Sequence, residues 1–300
     1  MKAFYTDRFA LPLPEGHRFP MEKYTRLRER VEGAGRCVLV EPDAASDTEL
    51  SLAHRPSYIR KVVEGSLSRD EVRRMGFPWS PELVERSRRS VGGTIGAARA
   101  ALAEGVSVNL AGGTHHAFPD RGSGFCVFND VAVAVRVLQA ARLIHRMGVV
   151  DLDVHQGDGT AAIFRDSPEV FTASVHGANN FPFRKEAGDL DIDLPDGASD
   201  DTYLDAVIRA LDAVLASSPE LIFYVAGADA FESDRLGRLS VSKEGLSRRD
   251  ALVFDAARAA SVPVAMVMGG GYAETVDDTV DIHYLSVDTA RESHARWSRR

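Results

Sequence analysis

From residue 80 onward, short apolar runs alternate with longer stretches of helical periodicity. Ser80-Pro81-Glu82 has the make-up of a helix start: a capping hydroxyl, a proline in the first turn and an acid at the positive end of the dipole. Val84, Val91, Ile95, Ala98 and Leu102 then recur at helical spacing and give one buried face. Gly105 ends that helix, and Val106 to Leu110 reads as a strand running into Ala111-Gly112-Gly113. The same phrase returns further on. Asn129 is placed to cap a helix through about Arg146, Gly148 breaks it, and Val149-Val150 opens a strand ending in Asp151-Leu152-Asp153. Phe171 to Val175, Leu221 to Ala226 and Val264 to Met268 are further strands, with helical patterns near 201–216 and 244–260 between the later ones.

Strands alternating with helices imply an α/β fold, a central parallel sheet with helices on both faces in three layers. No repeat or low-complexity linker divides the chain, so residues 1–290 read as a single domain. The closing stretch 291–300, ending Arg296-Trp297-Ser298-Arg299-Arg300, reads as a basic, mobile tail. The arginines Arg86, Arg88 and Arg89 read as the solvated face of their helix. Parallel sheets bind ligands beyond the carboxyl ends of their strands. His115 and His116 follow the 106–110 strand, Asp151, Asp153 and His155 the next, Asp229 the 221–226 strand, and Gly269-Gly270-Gly271-Tyr272 the 264–268 strand. Four strand ends thus deliver reactive side chains to one rim.

Composition narrows the class. Of 300 residues, 44% are hydrophobic and 27% charged, as in ordinary globular proteins. A net charge of −8 does not favour nucleic-acid binding. Two cysteines, Cys37 and Cys126, cannot build a disulfide framework. Cys126, between Phe125 and Val127, reads as a small buried side chain. No apolar run reaches the ~20 residues needed to cross a bilayer, and Asp7 stands where a signal peptide needs an unbroken apolar run. A reducing, cytoplasmic setting without membrane partners is the expectation. Oligomeric state is not readable.

Asp153 and His155 are two apart, so an extended chain sends both side chains to one face, and Asp151 shares that parity. A carboxylate and an imidazole suit zinc or ferrous iron, and Asp229 would be the third ligand, leaving positions open for water and substrate. Asp-x-Asp-x-His alone is equally a polar strand end capping the next turn, and Asp229 alone a turn residue. Acids set in apolar strand ends are, however, costly to bury without a cation. His115-His116 could be a surface pair. Beside a metal, one imidazole can take a proton from the attacking water while the other positions it or assists the leaving group. Asp151 and Asp158 are candidates to fix their tautomers. Tyr272 could be a core residue, or could donate its phenol to a carbonyl oxygen that becomes anionic.

Gly112-Gly113-Thr114-His115-His116-Ala117, Gly124-Phe125-Cys126-Val127-Phe128-Asn129-Asp130, Asp151-Leu152-Asp153-Val154-His155-Gln156-Gly157-Asp158-Gly159 and Gly269-Gly270-Gly271-Tyr272 occur in that order. Together with Gly16-His17-Arg18-Phe19-Pro20-Met21, they closely resemble the superfamily of histone deacetylases, acetoin-utilisation proteins and acetylpolyamine amidohydrolases. Glu232-Ser233-Asp234-Arg235-Leu236-Gly237 with Leu239-Ser240-Val241-Ser242 is most similar to the class IV branch.

The resemblance implies an arginase-type fold. It implies zinc on Asp153, His155 and Asp229, tandem catalytic histidines His115 and His116 partnered by Asp151 and Asp158, and Tyr272 polarising the amide. It also implies an acyl-lysine channel walled by Gly124, Phe125 and Leu236, with Phe181 the candidate for the facing wall. Potassium is implied at Asp151, Asp153, His155 and Ser174, mostly through backbone oxygens. The expected substrates are an acylated lysine (acetyl or longer) or, alternatively, an acetylated polyamine; the acidic net charge suits cationic ones. Two other readings compete: a two-metal ureohydrolase, which needs acids where Gly157 and Phe231 stand, and a non-catalytic binder of acylated ligands, against which the complete His115, His116 and Tyr272 set argues.

Overall fold

The computed structural model describes residues 1–297. Eight strands form one sheet: β1 (Lys2–Phe4), β2 (Val38–Val40), β3 (Val106–Asn109), β4 (Met147–Asp151), β5 (Val170–Gly177), β6 (Leu190–Leu194), β7 (Leu221–Ala226) and β8 (Val264–Met268). Their order is β2-β1-β3-β8-β7-β4-β5-β6, and every pairing is parallel. The helices are α1 (Glu22–Ala34), α2 (Asp47–Leu50), α3 (Pro56–Glu64), α4 (Arg69–Met75), α5 (Pro81–Glu104), α6 (Asp130–Ala140), α7 (Asp158–Phe164), α8 (Asp200–Ala216), α9 (Lys243–Ala259) and α10 (Val276–Trp297). Among the described residues, no helix is long and apolar enough to cross a membrane.

Strand β7 shows why the sheet has two covered faces. All six of its residues are buried, as a strand sandwiched between helices requires. Ile222, Tyr224 and Ala226 join a core with Leu27 of α1, Tyr203 and Val207 of α8, Phe254 of α9 and Ile282 of α10. Leu221, Phe223 and Val225 join the opposite core with Ile95 of α5, Leu138 of α6 and Phe164 of α7. Each large apolar side chain buried this way contributes roughly 1.5–3 kcal/mol. The result is the three-layer α/β architecture read from the sequence.

Several boundaries differ from the sequence reading. The Ser80 hydroxyl does accept the Leu83 amide and α5 does start at Pro81. The next helix, α6, stops at Ala140 rather than near Arg146, because Arg142 turns into a positive φ of 56° and the Leu143 amide folds back onto Leu138 O. Gly148 therefore lies inside β4 and breaks no helix. The closing stretch is not a loose tail as far as Trp297: α10 continues through it, with Ala290 and Ser293 buried on the face that carries Ile282. Residues 298–300 of that stretch lie outside the described residues. Arg86 is not solvated either; it is buried, donates to Thr6 O at 3.0 Å, and stacks 4.5 Å from the Tyr24 ring. Arg88 and Arg89 bond the backbone oxygens of Ala45 and Pro42. These three arginines pin N-terminal segments onto α5.

Candidate functional site

The four strands whose ends carry the reactive side chains, β3, β8, β7 and β4, are adjacent in the sheet. Their C-terminal loops consequently meet. A cavity of about 800 Å³ opens there, and His115, His116, Asp153, His155, Asp229 and Tyr272 all line it.

His155 Nδ1 lies 3.0 Å from Asp153 Oδ1 and 3.2 Å from Asp229 Oδ2. One ligand atom from each of the three lies within 4.8 Å of the others. The carboxylates are also held from behind. Asp153 Oδ2 accepts the Gly270 amide at 2.6 Å, and Asp229 Oδ1 accepts the Val154 amide at 2.9 Å. Gly270 has to be glycine for this approach, since a Cβ there would sit 1.9 Å from Asp229 Oδ2. Burial pushes Asp229 up, and the neighbouring Asp153 charge pushes it further, to about 7. For His155 burial works against the charged form, but bonds to Asp153 and Asp229 outweigh it and lift its pKa to about 10. Two buried carboxylates held this close favour any cation placed between them.

The histidine pair sits on a turn that Gly112 and Gly113 make with φ of 83° and 67°. That turn does what an extended chain cannot and brings the rings to 4.1 Å between centroids. Each ring has its own carboxylate: His115 Nδ1 to Asp151 Oδ2 at 2.6 Å, and His116 Nδ1 to Asp158 Oδ1 at 2.7 Å. The two are tuned apart. Burial lowers His115, but the Asp151 and Asp153 charges reverse this and hold it near 9. Burial and the adjacent His115 hold His116 near 4, against the pull of Asp158. Opposed pKa values in one cluster are a frequent property of acid–base sites.

Tyr272 is buried, and its amide donates to Asp234 Oδ2 at 2.6 Å. Its ring lies 6.1 Å from that of Phe125. Gly124, Phe125, Phe181 and Leu236 all line the same cavity. Phe181 stands edge-on to His116 at 4.9 Å, and Gly124 sits between these two rings. Ser174 is elsewhere, beneath the rim: it is the register partner of Asp151, and its hydroxyl lies 2.8 Å from His176 Nδ1. Cys126 is buried with its thiol 3.4 Å from Gly124 O, and burial pushes its pKa well up.

The sequence reading missed the residues that hold these loops. Asp130 accepts the Gly113 amide at 3.1 Å, the Thr114 amide at 2.8 Å and the Thr94 hydroxyl at 2.5 Å. Asn129 caps α6 as expected, and beyond that expectation it donates to Thr160 Oγ1 at 3.0 Å. His54 accepts the Asn129 amide at 2.9 Å. Asp234 takes the amides of Leu236 and Gly237 besides that of Tyr272. For Asp130, its place next to the Asn129 cap at the start of a helix was the available signal.

The family model described as "Histone deacetylase domain" matches residues 17–285. An uncharacterised protein of Picosynechococcus sp. is 45% identical over 295 residues, covering 96% of this chain and 97% of its own. A histone deacetylase-like amidohydrolase of Pseudomonas aeruginosa is 32% identical, covering 88% and 74%. Among solved structures, that of a histone deacetylase homologue from Aquifex aeolicus superposes with a TM-score of 0.83 at 24% identity, covering 96% of this chain and 83% of the other.

Proposed function

As the chain belongs to the histone deacetylase family, we propose that it is a zinc-dependent hydrolase of N-acyl-lysine, acetyl or longer. The observation that carries this is the pair His115–Asp151 and His116–Asp158 beside the Asp153, His155 and Asp229 donors in one cavity.

The donor set fits a divalent cation: two carboxylate oxygens and an imidazole nitrogen converge in a buried place, where burial and then the neighbouring Asp153 charge both work against a second free carboxylate at Asp229. Asp153, His155 and Asp229 would hold it. Zinc is the ion we assign, and ferrous iron accepts the same donors. When bound, the cation supplies Lewis-acid polarisation of the amide carbonyl and of the attacking water. His116, kept neutral by burial and by His115, accepts the proton of that water and passes it to the departing amine. His115, held protonated between Asp151 and Asp153, steadies the negative charge that develops beside it. The Tyr272 phenol donates to the carbonyl oxygen as it becomes anionic. Gly124, Phe125, Phe181 and Leu236 wall the acyl-lysine side chain and exclude water.

Potassium belongs to the same proposal, at Asp151, Asp153, His155 and Ser174. Of these four, Asp151 and Ser174 line a small void of about 10 Å³, together with Thr172 and Asp191. Among the described residues, Asp153, His155 and Asp229 form the only group of three or more His, Cys, Asp or Glu side chains placed to hold one ion, which leaves the two-metal ureohydrolase reading without a second set of acids. The deciding assay is a panel of acyl-lysine peptides of graded acyl length, with acetylpolyamines, run with zinc and with a chelator. Chelator-sensitive release of the acyl group from a lysine peptide is expected. Tight binding without turnover by the zinc-loaded protein would instead support a non-catalytic binder.

A further inference from the structure

The mouth of the cavity carries a charge opposite to that of the chain. Net charge is −8, yet Arg18, Lys23, Arg73, Arg74, Arg235 and Arg238 line the cavity. Its only lining carboxylates, among the described residues, are Asp153 and Asp229 at the floor. Two of these cations are already balanced: Arg73 pairs with Asp70 at 3.0 Å, and Arg238 with Asp196 at 3.2 Å. Arg18, Arg74 and Arg235 are exposed and have no carboxylate partner among the described residues.

Two of the three are arranged together. Arg18 and Arg235 line, with Leu236 and Tyr272, a side cleft of about 270 Å³, and all four residues also line the main cavity. Arg235 is fixed by its Nε, which donates to Tyr272 O at 3.0 Å. Its two terminal nitrogens remain for a ligand, and a guanidinium edge of this kind matches a carboxylate in bidentate fashion. Screening limits the reach of such exposed charges to ~8 Å at physiological salt. The rim therefore acts on groups carried close to the scissile amide.

We propose that Arg18, Arg74 and Arg235 select acyl-amine substrates bearing a carboxylate near the scissile amide, and reject polycationic amines. The inference rests on the acyl-amide hydrolase reading of the site. The carboxylate can come from acidic residues flanking an acyl-lysine or from the α-carboxylate of a free acyl-lysine.

The zinc-loaded protein is assayed with acetyl-lysine peptide amides of equal length flanked by Glu, by Gln or by Arg, with free Nε-acetyl-lysine, and with N-acetylspermidine. The expected kcat/KM favours the Glu-flanked peptide or the free acetyl-lysine over the Arg-flanked peptide and the polyamine by roughly tenfold or more at low salt. Whichever of the two favoured substrates is faster identifies the source of the carboxylate. The ratio should fall toward one in about 0.5 M salt, and should shrink without vanishing in the Arg18→Gln/Arg74→Gln double variant, which keeps Arg235 and its bond to Tyr272. Equal rates, or preference for the Arg-flanked peptide or the polyamine, overturn the inference and leave the hydrolase reading standing. No turnover of any substrate overturns both.

Discussion

The backbone amide of Tyr272 donates to Asp234 Oδ2 at 2.6 Å, so a carboxylate on the loop after β7 fixes a point on the loop after β8. That bond anchors the backbone from which the phenol projects. Tyr272→Phe should retain this bond and lose only the donor. A fall in kcat of roughly 10²–10³ with little change in KM is expected from steady-state kinetics. Near-normal kcat would remove Tyr272 from the oxyanion role.

Metal removal should be visible without any assay of turnover. Asp153 and Asp229 share a buried place with His155, and a bound cation would relieve their repulsion. Zinc at a hundredfold excess over its Kd should stabilise the fold by about 2.7 kcal/mol. Thermal unfolding with and without a chelator checks this. An unchanged Tm would argue that the three residues bind no cation.

His54 gives a pH dependence remote from the metal donors. Its Nδ1 donates to Phe118 O and its Nε2 accepts the Asn129 amide, which only the neutral ring can do. Burial is the main cause that lowers its pKa to about 4. The unfolded chain binds this proton near 6.5, so the contribution is complete above that pH and drains away as pH falls toward 4. The loss amounts to about 3 kcal/mol. Denaturant midpoints measured across this window should show it, and His54→Gln should flatten the profile. A wild-type profile that is already flat would contradict the assignment.

Gly124→Ala tests the channel. The added Cβ would lie 2.6 Å from His116 Cδ2 and 3.2 Å from Phe181 Cε1, at a φ of 53° that disfavours a side chain. Displacing His116 by a fraction of an ångström to an ångström should lower kcat/KM by roughly 10². Circular dichroism should still report a folded protein. Wild-type kinetics would mean that the acyl chain enters elsewhere.

What the chain disclosed before folding follows burial. β7 and β8 were legible to the residue because both faces are covered, so their runs are apolar throughout. β1 and β2 are only three residues long, and α1 buries just Lys23, Leu27 and Val31, leaving little pattern to see. β6, Leu-Asp-Ile-Asp-Leu, does alternate, as an edge strand covered on one face should, and was overlooked. That His115, His116, Asp153, His155, Asp229 and Tyr272 would gather in one place was legible because acids and histidines at apolar strand ends are conspicuous. Asp130, Asp234 and His54 were not, because they act by satisfying backbone groups of loops distant in sequence. The rim arginines show the same limit: net charge is a property of the whole chain, and the sign of a cavity mouth depends on which few residues the loops bring there.

The position of β8 also governs how the molecule is completed. It is the last strand in the chain and lies near the middle of the sheet, between β3 and β7. During synthesis the earlier strands can assemble only as two separate blades, β2-β1-β3 and β7-β4-β5-β6, each with a naked edge awaiting the same insert. Unpaired edges of this kind invite association with other chains. A chain that ends before residue 264 would thus present two open edges to its neighbours, and its hazard would be aggregation.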